Sequence, residues 1–144
     1  MIESDTIKLL RECDAGVKMG VKSIDDVILS VKSSELRTAL CDSMYEHEVL
    51  GNEIRTHLDK LHDEGKDPSL IATGMSWIKT NVKLAMKESD KTVASLMTDG
   101  CNMGIKSLNR YLNQYEAADE FSKDIAKKLI NLEQKLAEDI SGYL

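Results

Sequence analysis

The sequence predicts an all-α protein: an antiparallel four-helix bundle built from two related helical hairpins, with a crossover helix between them. Three observations predict it. The chain repeats itself, since Met19-Gly20-Val21-Lys22-Ser23-Ile24 returns as Met103-Gly104-Ile105-Lys106-Ser107-Leu108, 84 residues later. Glu3-Ser4-Asp5 returns as Glu88-Ser89-Asp90 and Glu35-Leu36 as Glu120-Phe121, both at 85. The slip falls between Asp14-Ala15-Gly16 and Asp99-Gly100. A repeat of this length is one supersecondary unit used twice. The second observation is spacing, because apolar residues recur every three or four positions over long stretches, the period of a helix with one buried face. The third is composition: 42% hydrophobic, 31% charged, 4% aromatic and one proline, which is poor in the residues that strands and their turns require.

The first helix is predicted from Ser4-Asp5, a capping pair, to about Lys32, with Leu10, Cys13, Val17, Val21, Ile24, Ile28 and Val31 on one face. Ser33-Ser34 offers the next N-cap, for a helix from Glu35 to about Glu64. Its stripe is Leu36, Leu40, Met44, His47, Leu50, Ile54, His57 or Leu58, and Leu61. A short connection makes these two helices antiparallel neighbours. Gly65 is expected as a C-terminal glycine, and Asp67-Pro68 restarts a helix. The following stretch to Lys87 has no counterpart in the first copy and carries Trp77, with Ile71, Met75, Ile78 and Val82. It reads as the crossover. The second hairpin spans about Asp90 to Tyr115 and Asp119 to Gly142, Asp119 standing where Ser34 stood. Its last stripe is Phe121, Ile125, Leu129, Leu132, Leu136, Ile140 and Tyr143. One domain, residues 1–144, is expected, with hairpins 3–64 and 89–144 and a crossover 65–88.

A net charge of −6 argues against a nucleic-acid partner or an anionic membrane surface, both of which select a basic face. No stretch approaches the roughly 20 apolar residues that span a bilayer. The start of the chain lacks the basic and apolar regions of a signal peptide. Cys13, Cys41 and Cys101 show no CxxC spacing and read as reduced thiols of a cytoplasmic protein.

Asp99-Gly100 with Gly104 four residues on, the hairpin–crossover–hairpin order and the crossover tryptophan Trp77 resemble ferritin-like proteins. More narrowly, they are similar to an uncharacterised bacterial family of stand-alone four-helix bundles in that superfamily. The resemblance implies a di-metal centre, iron or manganese, held mid-bundle by one Glu from each of two helices and a Glu-x-x-His from each of the others. The sequence departs from that pattern. Its first and third helices carry Val17, Met19 and Gly20, then Cys101, Met103 and Gly104, where a glutamate is required. Met44 and Ile54 precede His47 and His57 by three residues, and Asp59-x-x-His62 ends its helix. At offset 85, His47 maps to Leu132, Glu48 to Glu133 and Glu53 to Glu138. These four carboxylates are placed beside the apolar stripe.

His47 falls on the stripe and reads first as a buried neutral imidazole hydrogen-bonded to a neighbour. The sharper reading makes it a metal ligand with Glu48 and Glu133, supported by Glu46, Glu53 or Glu138. His57 and Glu53, four apart, suit an exposed helix pair, and His62 suits the helix dipole. Gly16 with Gly20 and Gly100 with Gly104 each put two glycines on one helix face. Each costs about 1 kcal/mol in a helix interior, which calls for a use: close approach of the first and third helices, or room for a small ligand. Met19, Met44 and Met103 are expected near the level of His47, as core filler or as soft ligands for Cu(I).

The function expected is a non-catalytic ferritin-like bundle, homo-oligomeric, serving interaction or stress, with no cofactor. The alternative is a metal-binding protein with a reduced or displaced site around His47.

Overall fold

Ser4 begins the first helix by accepting a hydrogen bond from the Ile7 amide, an N-cap that contributes about 1 kcal/mol. The computed structural model describes residues 4–63 and 89–144; the predicted crossover, with Gly65, Asp67-Pro68 and Trp77, lies outside them. Four helices follow in order: α1 (Asp5–Ile28), α2 (Ser34–Lys60), α3 (Ser89–Gln114) and α4 (Glu120–Ile140), with a 3-10 turn at Ser141–Tyr143. There is no strand among the described residues.

Two helix ends differ from expectation. α1 stops at Ile28 rather than Lys32, because the Lys32 and Ser33 amides are held by the Asp90 carboxylate of α3 at 2.7 and 3.0 Å. Leu29 is thereby turned out, 97% exposed, while Val31 tucks into the core. α2 closes at Lys60 without its glycine. His62 takes the left-handed conformation, φ 58°, its amide bonding the Asp59 carbonyl while the Asp63 amide reaches back to Leu58, the paired bonds of a Schellman cap. Asp63 is fastened by a two-pronged pair with Arg11 of α1. The histidine is therefore the residue past the helix end, not a last-turn charge. His62→Gly is expected to raise stability by about 1 kcal/mol, since glycine alone meets no penalty there; urea unfolding checks it.

α1 packs on all three other helices, α2 on α4, and α3 on α4, so that α2 and α3 occupy opposed corners. As positions rise along α1 their partners on α2 fall, from Arg11 with Asp63 through Val17 with Gly51 to Gly20 with His47. Two apolar clusters fill the interior. One gathers Leu9, Leu10, Cys13 and Val17 around Ile54, Leu58, Ile125 and Leu129. The other gathers Ile24, Val27, Leu36 and Leu40 around Val93, Met97, Leu136 and Ile140.

Buried positions recur at constant offsets. In the first helices an offset of 84 pairs Leu9 with Val93, Leu10 with Ala94, Cys13 with Met97, Val17 with Cys101 and Ile24 with Leu108, while buried Asp14 and Ala15 have no buried counterpart at that offset. In the second helices it is 86: Leu40 with Ala126, His47 with Glu133, Leu50 with Leu136 and Ile54 with Ile140. The N-caps agree, Ser33 accepting from Leu36 and Asp119 from Ser122. Ser33, not Ser34, is thus the cap of α2, and α3, with 26 residues, exceeds the 24 of α1 by two. The stripe of α4 keeps Ile125, Leu129, Leu136 and Ile140 as expected and departs at Phe121, Leu132 and Tyr143. Phe121 is 39% exposed, whereas Ser122, Ile125, Ala126, Leu129, Glu133, Leu136 and Ile140 are buried.

Candidate functional site

A helical period of 3.6 carries the buried face of α4 from Leu129 to Glu133 and on to Leu136. The same period carries that of α2 from Ser43 to His47 and Leu50. A carboxylate and an imidazole thus stand mid-stripe, at the level that separates the two apolar clusters. His47 has no solvent exposure and Glu133 is buried at 9%. Their side chains meet: His47 Nε2 lies 2.9 Å from Glu133 Oε1. The other ring nitrogen, Nδ1, lies 2.7 Å from the Ser43 carbonyl oxygen one turn back.

The protonation follows from the partners. A carbonyl oxygen only accepts, so Nδ1 carries a proton and donates it to Ser43. With that nitrogen protonated, Nε2 facing a carboxylate oxygen requires a second proton between the two atoms, or two lone pairs would oppose each other out of water. Burial pushes the imidazole pKa down, but the Glu133 hydrogen bond and charge, the Ser43 carbonyl and the more distant Glu46 together outweigh it and raise it above the ordinary 6.5. The ring is buried and hydrogen-bonded, as expected from the sequence, and its surroundings favour the protonated form relative to a free imidazole.

The glycines supply the space. A β-carbon on Gly20 would sit 2.8 Å from His47 Cδ2 and 2.9 Å from Nε2. One on Gly104 would meet Glu133 at 3.6 Å, and one on Gly16 would meet Leu129 at 3.3 Å. The missing side chains of α1 and α3 thus face side chains of α2 and α4 rather than each other's backbones, and the room they leave at Gly20 is taken by the imidazole.

The candidate residues divide. His47 and Glu133 come together. Glu48 is exposed on another face of α2, in a groove shared with Lys18, Lys22 and Met44. Glu46 and Glu53 pair instead with Lys135 and Lys128 of α4 at 3.3 and 3.6 Å, and Glu138 is exposed. His57 does not pair with Glu53; its ring lies on Phe121 with centroids 4.3 Å apart. Met103, beside Gly104, is 60% exposed and so points away from His47. Among the described residues no group of three or more His, Cys, Asp or Glu side chains is arranged to hold a metal ion.

The di-metal centre implied by the ferritin-like resemblance does not fit this donor set. Such a centre needs four carboxylates and two imidazoles converging from four helices. Here one carboxylate and one imidazole hydrogen-bond to each other, and α1 and α3 approach them with Gly20 and Gly104.

Two polar groups escaped sequence reasoning. Asp14 of α1 is fully buried, with Lys18 Nζ at 2.7 Å and Arg55 Nη1 at 3.9 Å; its i,i+4 spacing to Lys18 was the available signal. Cys101 was visible only as a thiol, yet it hydrogen-bonds Glu133, and burial followed by that carboxylate's charge and bond drives its pKa up. Burial likewise pushes Cys13 up to about 12, helped by the charges of Glu12 and Asp14. Neither thiol supplies the thiolate that nucleophilic or redox chemistry uses.

Comparison with known proteins returns no matching family model, no matching curated protein and no matching solved structure. No helix among the described residues is long and apolar enough to cross a membrane.

Proposed function

We propose that the protein is a non-catalytic bundle of ferritin-like type, an internally duplicated antiparallel pair of hairpins that acts in the cytoplasm as a homo-oligomeric interaction or stress-related protein. The observation that carries this reading is the closed His47–Glu133 pair. At the level where the implied chemistry belongs, both ring nitrogens and the facing carboxylate oxygen are spent on one another and on Ser43.

Contacts at the helix ends support the duplicated arrangement. Thr6 Oγ1 of α1 accepts from the Asp119 amide at 2.9 Å, and Asp90 of α3 accepts from the Ser33 amide at 3.0 Å. At offsets of 84 and 86 these are one contact made twice with the hairpins exchanged. They put the starts of α1 and α4 at one end and those of α2 and α3 at the other, the order a single long crossover produces. An interaction role is supported by Tyr45 and Val49, one turn apart on α2 and 68% and 49% exposed, since large apolar groups in water favour being covered.

Elemental mass spectrometry of the purified protein, before and after incubation with Fe(II), Mn(II), Zn(II) or Cu(I), tests the reading alongside light scattering. No retained metal and an oligomer are expected. About two equivalents of iron or manganese per chain would overturn it. One equivalent lost in His47→Ala would establish the displaced metal site instead.

A further inference from the structure

We propose that His47 and Glu133 form the recognition pair of the two hairpins, the contact by which the first hairpin selects the second over another copy of itself.

The argument begins with equivalence. At the offset of 86 that aligns the N-caps and buried residues of α2 and α4, His47 and Glu133 are the same position of the repeated unit. Each lies against the equivalent glycine of its own hairpin, Gly20 for His47 and Gly104 for Glu133. The two positions meet where the hairpins pack together. Of the other buried positions paired by this offset, Leu40 with Ala126, Leu50 with Leu136 and Ile54 with Ile140 match apolar with apolar, while Leu36 with Ser122 and Ser43 with Leu129 exchange a hydroxyl for an alkyl group without introducing a charge. Apolar pairs of this kind do not distinguish one hairpin from the other.

The central pair does. Joining hairpin one to a second hairpin one would set two buried imidazoles against each other, each donating Nδ1–H to its own Ser43. Joining hairpin two to its like would set two buried carboxylates together, beside two Cys101 thiols. Both arrangements bury like with like at a site closed to water, and that is strongly unfavourable. Only the mixed pair places a proton donor against an acceptor. A lone polar contact in an apolar seam is an established means of fixing partner and register. The surrounding titratable groups favour the pair as it stands: α1 presents Gly20, α3 presents Gly104 and the protonated Cys101 thiol beside Glu133, and Glu46 on α2, paired with Lys135, adds a weaker negative charge that favours the protonated imidazole.

Exchange of the pair tests the inference in the full-length chain. His47→Glu and Glu133→His are each expected to lower Tm by about 10 °C or more, the loss that follows from breaking a buried pair. The double exchange His47→Glu/Glu133→His is expected to recover at least half of the larger loss, because a histidine at 133 finds the Leu129 carbonyl one turn back as His47 finds Ser43. A double variant no better than the sum of the singles overturns the equivalence, and unaffected singles overturn the recognition role. The pH response of the singles decides the matter even where the exchange does not fold. The Glu133→His chain, with two facing imidazoles, should gain stability as pH rises, and the His47→Glu chain, with two facing carboxyls, as pH falls. Parallel responses in both would show that the side chains leave the seam, and would overturn the proposal.

Discussion

Gly20→Ala is expected to destabilise the protein by about 2–4 kcal/mol, whereas Gly104→Ala is expected to stabilise it by about 0.5–1 kcal/mol. The two substitutions are chemically identical, fall in the similar segments Met19-Gly20-Val21-Lys22 and Met103-Gly104-Ile105-Lys106, and each removes a helical glycine. On propensity alone both would help, because alanine is the better helix former by about 1 kcal/mol. What separates them is the far side of the contact. The new β-carbon at 104 would sit 3.6 Å from the nearest carboxylate atom, ordinary van der Waals distance, so the propensity gain survives. At 20 it would lie 2.8 Å from a ring carbon of His47, and that ring is held at both nitrogens and has no exposure. The imidazole must shift, and any shift that loses Nε2 from Glu133 leaves a buried charge unpaired. Thermal unfolding by circular dichroism resolves the difference readily. At roughly 3 °C per kcal/mol for a chain of this size, the two Tm values should move in opposite directions. Equal stabilisation by both would mean that the imidazole is not seated against α1.

The contrast also shows where sequence reasoning reaches and where it stops. The glycines were legible as an unexplained cost, since four of them at repeat-related positions break helix propensity without marking a turn. What they accommodate was not legible, because that depends on which neighbour faces them across the bundle. His47 was found through its place on an apolar stripe. Glu133 was named as a partner of His47 but placed beside the stripe, because hydropathy prefers Leu132, and the two differ by one residue, about 100° around the helix. Once α4 is registered on α2 through the caps Ser33 and Asp119, the glutamate falls on the buried face without adjustment. The apolar stripe placed Ile125, Leu129, Leu136 and Ile140 correctly on the buried face, and erred at Phe121 and at Leu132, beside which Glu133 is the buried residue. Short sequence identities fix a repeat only to within a residue. The ends of α1 and α2 were beyond reach for a related reason. Asp90 and Arg11, which hold them, are distant in the chain.

The largest effect on the site should come from Glu133→Ala, and its signature is a reversal of sign with pH. In the parent chain the folded-state pKa of His47 is raised above 6.5 by Glu133 and Ser43 in spite of burial. A raised pKa means that the folded state holds its proton more tightly than the unfolded chain. The stabilisation is therefore fully present below about pH 6.5 and is lost as pH climbs through the folded-state value. Removing the carboxylate deletes the hydrogen bond and the charge together and leaves burial, the strongest single influence on this ring, almost unopposed. His47 must then sit in the core neutral, and folding favours loss of the proton. Stability in the variant should rise with pH across the same window and fall as the solution is acidified. Subtracting the two urea-unfolding profiles, measured from about pH 5.5 to 8.5, cancels the contributions of every group common to both chains. The difference is expected to be about 3–5 kcal/mol at the acidic end, the cost of orphaning a buried charge, and to shrink steadily as the pH increases. A flat difference would show that His47 titrates alike in both chains and that the proton between Nε2 and Oε1 contributes nothing. A difference that grows with pH would place the pairing energy in some other protonation state. Glu133→Gln separates the two parts of the effect, since the amide oxygen still accepts from Nε2–H but carries no charge: it should fall between parent and alanine variant at low pH and approach the parent as the imidazole loses its proton.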